Sequence, residues 1–275
     1  MISEDRLAAT NQALAQDYVG LVATMPFDRE TAVSLADRFV NEDHFFMLES
    51  ATAGPSSVAR FSILGFGPLW QWRWSHGQGT VPGDPWQPLR AQVEGTKVHQ
   101  CYSRSTDPAI RAPAVEDFVG PCGFLTYDMA LAFEPSIGEP LPKELGIPDA
   151  FFFLPRNLLI LDQLKRNLTI VHLMAGDALK RDGDQAWEAA EQEIADLKAR
   201  LQRPHAPPRL RIENGELDFD QCKMAVDKPT FLQRVDAMLE EIRAGEIFQV
   251  QIGNRLTCEC KARPFDVFRH LRMLN

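Results

Sequence analysis

Six histidines, five cysteines and one adjacent glutamate pair are the residues from which this chain could build a metal or catalytic centre. The histidines are His44, His76, His99, His172, His205 and His270, and none has a second histidine three or four residues away. A helical zinc site needs that spacing to place two imidazoles on one face, so no such site is indicated. Cys101, Cys122, Cys222, Cys258 and Cys260 are odd in number, and only Cys258-Glu259-Cys260 has short spacing. One C-x-C without a second pair is a weak metal signal. On a strand its two thiols would share a face and behave as small apolar groups. No Gly-x-Ser-x-Gly elbow presents an activated serine. The pieces "GFG" (65–67) and "GQG" (77–79) do not continue into a third glycine before a helix, and no phosphate-loop lysine follows, so they read as turns. Glu240 and Glu241 adjoin Arg243 on a predicted helix and read as solvated charge. No catalytic residue and no metal ligand is nominated.

Charge and hydropathy narrow the partners. The chain of 275 residues carries a formal charge of -9. It has no basic stripe of the kind nucleic-acid binding needs. The densest basic spots, "LKR" (164–166) and "LKAR" (197–200), read as surface charge. The longest apolar stretch, "FFFLPRNLLILD" (151–162), is interrupted by Pro155 and Arg156 and is too short to span a bilayer. The first eighteen residues lack the apolar segment of a signal peptide or anchor. The expectation is a cytoplasmic protein with neither nucleic acid nor membrane as partner. Five cysteines suit a reducing compartment, and a chain this long can fold without disulfides.

The elements that would position any site alternate irregularly. A short helix over 3–16 is predicted with Ser3 as its cap. Strands are predicted at 18–25, 44–50 and 58–69, with Trp70, Trp72 and Trp74 alternating along one face of a further strand. A helix over 29–40 gathers Ala32, Leu35, Ala36 and Phe39 on one side. The loop at 75–88 is rich in Gly and Pro, and 103–118 reads as irregular. Residues 123–134 begin as a strand and turn helical. Residues 157–174 form a hairpin around Lys165-Arg166-Asn167. The clearest helix covers 178–201, with Trp187, Ala190, Ile194, Leu197 and Leu201 in one stripe.

Three prolines in 202–211 stop that helix and mark a linker. The predicted division is 1–201, then the linker 202–211, then 212–275. Beyond the linker, Pro229 opens a helix whose stripe is Phe231, Val235, Met238 or Leu239, and Ile242, closed by Gly245. Residues 246–257 are predicted as a strand, with Phe248, Val250, Ile252 and Leu256 on one face and Gln249, Gln251, Gly253 and Arg255 on the other. A last helix starts near Pro264 with Phe265, Phe268 and Leu271 as its core side. Hairpins dominate and no regular βαβ alternation exists. The fold class is α+β, with mostly antiparallel sheets and flanking helices.

Three ordered pieces carry a resemblance. Leu48-Glu49-Ser50 ends a strand and is followed by Arg60-Phe61-Ser62. "GFLTYDMALAFE" (123–134) holds Tyr127-Asp128 and closes on Glu134. "AGEIFQVQIGNRL" (244–256) holds the Ile-Phe-Gln-Val strand and a nearby arginine. In this order they resemble the N-terminal half of the large subunit of anthranilate synthase, a chorismate-utilising enzyme family. Two departures bear on subfamily. Ala32 stands where many members have proline, and Gln251-Ile252-Gly253-Asn254 differs from the commonest ending of the third motif.

The resemblance implies a whole protein that converts chorismate and ammonia to anthranilate and pyruvate in tryptophan biosynthesis. The ammonia would come from glutamine through a glutamine amidotransferase subunit. It implies Mg²⁺ held by two glutamates and a catalytic histidine, all in the other half of family members, so this chain alone is expected to be inactive. It also implies feedback inhibition, with Glu49 and Ser50 helping to hold L-tryptophan; carboxylate and hydroxyl suit an α-ammonium ligand. Gln249 and Arg255 would line the wall of the active site. An aminodeoxychorismate synthase component I shares these motifs, and a non-catalytic module binding tryptophan or a partner is the alternative from another class. Salicylate and isochorismate synthases fit less well, because they usually lack the Leu-Glu-Ser strand.

Overall fold

Alternating apolar residues in the first two hundred positions pair into one sheet. The computed structural model describes residues 4–12, 17–49, 60–76, 86–94, 96–134, 136, 138, 145–208 and 222–274. The chain divides into two compact units, Met1–Pro207 and Pro208–Asn275. Among the described residues, the first unit runs α1 (Glu4–Gln12), β1 (Tyr18–Pro26), α2 (Ala32–Asp37), β2 (Phe46–Glu49), β3 (Phe61–Trp74), α3 (Gln87–Val93), β4 (Val98–Tyr102), β5 (Cys122–Leu125), α4 (Ala130–Phe133), β6 (Ala150–Asp162), β7 (Asn167–Ala175), α5 (Gly176–Arg181) and α6 (Gly183–Gln202). The strand order is β2-β3-β6-β7-β1-β4, with β5 beside the first residues of β6. Among the described strands of this sheet, β1 and β4 pair in parallel and the other pairs are antiparallel. This is the expected α+β class with a mainly antiparallel sheet.

The predicted hairpin is the centre of the sheet. β6 and β7 pair from Asn157↔His172 to Asp162↔Asn167. Between them Arg166 adopts φ 54°, and Asp162 accepts the Leu164 and Lys165 N–H groups at 3.1 and 3.0 Å. β6 begins earlier than predicted and runs through Pro155, which lies opposite Pro68 of β3 at a register shift. Neither proline has an N–H, so one irregularity serves both. The helix predicted over 29–40 is regular only over α2, where Thr31 and Ser34 form a reciprocal cap. All four of its predicted core residues are buried. The helix predicted over 178–201 is two helices, because Asp182 leaves helical geometry to cap α6 through the Gln185 N–H.

Two layers cover the sheet. The α6 stripe of Trp187, Ala190, Ile194, Leu197 and Leu201 is buried, and α6 lies against β7 and β1. Burying each large apolar side chain stabilises by about 1.5–3 kcal/mol. Val22, Leu158, Ile160, Val171 and Leu173 form a second cluster, closed by Ala112 and Val115 from the irregular segment 103–119. β4 and α3 were not expected from the sequence. The cap proposed at Ser3, Ser50, and most of the 75–88 loop lie outside the described residues.

The second unit carries β8 (Lys223–Met224), α7 (Lys228–Ala244), β9 (Leu256–Thr257) and α8 (Pro264–Leu274). α7 starts and stops as predicted. Asp227 accepts the Thr230 N–H, Pro229 sits in the first turn, and Gly245 ends the helix at φ 82°. Its apolar stripe is not buried, however. In α8 Phe265 is buried, but Phe268 and Leu271 are exposed. The strand predicted over 246–257 is reduced to β9. Among the described residues its backbone finds a strand neighbour only at β8, through Lys223↔Thr257 and Met224↔Leu256, and a short two-stranded ribbon alone is marginal. Cys258 is joined to Cys222 in a disulfide, whereas Cys260 is exposed. That corrects both the expectation of no disulfide and the reading of Cys258 and Cys260 as an apolar pair.

Candidate functional site

Glu49 ends β2 opposite Ser62 of β3 and is half-buried. Strand alternation puts Glu49, Ser62 and Leu161 on one face of the sheet, and Phe61 and Asp162 on the other. Ser62 is fully buried, and its hydroxyl accepts a 2.8 Å hydrogen bond from the Gln163 amide. The Gln163 N–H in turn reaches the Arg60 carbonyl at 3.0 Å. The turn after β6 thus grips the entrance of β3 from the face that carries Glu49.

The same turn holds the other face. Arg60 Nε donates to both oxygens of Asp162 at 3.0 Å, and a second guanidinium nitrogen completes the fork. Arg60 also lies 4.7 Å over the Phe61 ring. Burial would raise the pKa of the Asp162 carboxyl. The Arg60 hydrogen bond and charge, with the Lys165 and Leu164 N–H groups, outweigh that and hold it below the ordinary carboxylate range. Beside this pair is a hollow of about 450 Å³, lined by Arg60, Phe61, Tyr102, Arg111, Asp162 and Lys165 among others. That volume is within the usual range for small-molecule sites. Its lining has three cations to one carboxylate. Glu49 lies on one face of the sheet at these strand ends, and the hollow with three cations to one carboxylate lies beside the pair on the other. Asp162 and Gln163 escaped the sequence reading; a polar pair closing an apolar strand was the signal available.

Gln249 and Arg255 belong to the second unit and are exposed. The Arg255 carbonyl accepts the Ala225 N–H at 2.9 Å. Among the described residues, no three His, Cys, Asp or Glu side chains gather to hold a metal ion, so they offer Mg²⁺ no fitted cradle. His172 is buried, and its Nδ1 meets the Asn157 side-chain oxygen at 2.7 Å. Burial, helped by Arg156, pushes its pKa down to about 4, so it is a neutral core group. No helix among the described residues is long and apolar enough to cross a membrane.

The comparisons with known proteins agree with the motifs. Residues 43–275 match the model of the chorismate binding enzyme family, and the chain belongs to that family. It is 32% identical over 238 residues to anthranilate synthase component 1 of Thermus thermophilus, covering 84% of this chain and 45% of the relative. It is 28% identical over 245 residues to the Bacillus caldotenax counterpart, covering 86% and 47%. The crystal structure of anthranilate synthase component I from Streptococcus pneumoniae superposes with a TM-score of 0.57 at 25% identity, covering 91% of this chain and 52% of that one. The chain spans about half the length of the curated relatives it matches.

Proposed function

We propose that this chain is the N-terminal portion of an anthranilate synthase component I. The whole protein would convert chorismate and ammonia to anthranilate and pyruvate, with a glutamine amidotransferase subunit as the ammonia source. The observation that carries the reading is a family match over 43–275 against relatives about twice as long. In this reading Glu49, with Ser50, receives the α-ammonium of L-tryptophan, and Gln249 and Arg255 line the active-site wall. The Mg²⁺ ligands and proton-transfer groups lie outside this chain.

Two measurements test this. The intact mass of the natural protein is expected to be about twice that of this chain. The 275-residue chain, given chorismate, ammonium and Mg²⁺, is expected to form no fluorescent anthranilate. Turnover by the chain alone would refute the assignment of catalysis to the other half. A natural mass equal to that of this chain would leave a binding module.

A further inference from the structure

We propose that Cys222 and Cys258 are a redox-modification site, a reversible cross-strand disulfide that clasps the β8–β9 ribbon and takes a small dithiol as its reductant. The ribbon's register makes the pairing. Lys223↔Thr257 and Met224↔Leu256 are partners, so the next pair outward is Cys222 opposite Cys258. The Ala225 N–H donates to the Arg255 carbonyl. Alternation then makes Cys222 and Cys258 a non-hydrogen-bonded pair, in which Cα atoms approach to about 4.5 Å. Their separation is 4.6 Å, within reach of a disulfide.

Among the described residues the ribbon is two strand pairs long. Its four strand residues are all exposed. At the inner end the Asn254 side chain accepts the Val226 N–H at 3.1 Å and donates to the Val226 carbonyl at 2.7 Å, standing in for one more backbone pair. An isolated two-stranded ribbon is marginal in water, so the covalent link decides whether this one persists. The bond closes a loop over a sequence separation of 36, which contains α7, Gln249 and Arg255. Closing a loop of that size favours the ordered form by roughly several-hundred-fold on the chain-entropy account. Both cysteines are half-exposed, so a small reagent can reach the sulfurs, and Cys260 offers an exposed thiol two residues on.

The chemistry balances with one dithiol. Its thiolate attacks one sulfur of the bridge and breaks the S–S bond. A mixed disulfide forms, and the released cysteine thiolate takes a proton. The reagent's second thiol then displaces the remaining cysteine and leaves as a cyclic disulfide. Two electrons pass to the protein, which gains two thiols. The proposal does not depend on the catalytic reading above.

The test equilibrates the 275-residue chain in graded mixtures of reduced and oxidised dithiothreitol, then traps thiols by alkylation and measures amide exchange. Cys222 and Cys258 are expected to become alkylated together in one transition, with Cys260 alkylated throughout. Amides of 223–226 and 254–257 should lose at least tenfold protection on reduction, while those of α6 stay unchanged. The double variant C222S/C258S should match the reduced protein and ignore the buffer. Independent alkylation of the two cysteines in oxidising buffer, a bridge that no mixture opens, or ribbon protection equal in both states would overturn the proposal.

Discussion

Replacing His172 by Gln should remove a specific part of the acid sensitivity of the first unit. His172 is 8% exposed and faces α6 through a chain from its Nδ1 to Asn157, and from Asn157 to Glu193 at 3.2 Å. Burial first, and the Arg156 charge second, lower its pKa from 6.5 to about 4. Between those values the unfolded chain binds a proton that the folded chain refuses. Stability therefore rises with pH across this window, is complete above about pH 6.5 and is lost as pH falls toward 4. At about 1.36 kcal/mol per tenfold change the full loss is about 3.4 kcal/mol. At pH 5 the same two values give about 2 kcal/mol. All five tryptophans (Trp70, Trp72, Trp74, Trp86 and Trp187) lie in Met1–Pro207, so urea unfolding followed by tryptophan fluorescence reads this unit. Between pH 7.5 and 5.0 the native protein should lose about 2 kcal/mol more than His172→Gln. Groups other than His172 titrate in both proteins and cancel in that comparison. Equal losses, or a His172 imidazole titrating by NMR near 6.5, would refute the account.

Further outcomes follow from single contacts. Trp187→Ala removes the largest side chain of the α6 stripe, whose indole N–H donates to Thr10 at 3.1 Å; urea unfolding should show about 3–5 kcal/mol lost, against under about 0.5 kcal/mol for the exposed neighbour Glu188→Ala. Gly245→Ala puts a Cβ on a residue at φ 82°, costing about 1 kcal/mol, and amide exchange should report weaker protection at Gly245 and Glu246, whose N–H groups cap α7. In the proposed full-length enzyme, Glu49→Gln should raise the L-tryptophan concentration that inhibits anthranilate formation by roughly tenfold or more, the effect of losing one charged hydrogen-bond partner. Unchanged inhibition would remove Glu49 from the regulatory site.

Sequence patterns revealed faces and ends better than neighbours. The stripe from Trp187 to Leu201 could be read because one helical period repeats over several turns, and its side chains are buried as expected. Pro229 and Gly245 could be read because helix-end signals are local, whereas the Asp227 cap emerged only from the structure. β4 could not. "VHQCY" has no clean alternation, and its order comes from β1, to which it pairs as Tyr18↔Val98 and onward. Of the candidate residues, those of the Leu-Glu-Ser strand end stood out by their motif. The fork between Arg60 and Asp162 joins residues 102 positions apart, and no local pattern announces such a pair. The Cys222–Cys258 bridge likewise depends on register rather than on spacing along the chain.

Segment 246–257 makes the distinction concrete. Its alternation is as regular as that of strands that did form, yet only Leu256 and Thr257 are paired as strand. Alternation states which side chains should share a face, but a strand is stabilised by a neighbour that accepts its N–H groups and donates to its carbonyls. Within the second unit β8 provides two residues of such an edge, and Asn254 imitates a third. The result is an apolar face left partly open among the described residues: Phe248 is 94% exposed. Leu239 and Ile242 of α7 and Leu271 of α8 are also open. An apolar set this large is costly to leave in water. In the proposed whole enzyme the second edge and the cover for this face are the same thing, supplied by the other half of the protein. On that reading Gln249 and Arg255, exposed in this structure, take up their wall positions only when the segment that carries them becomes a strand.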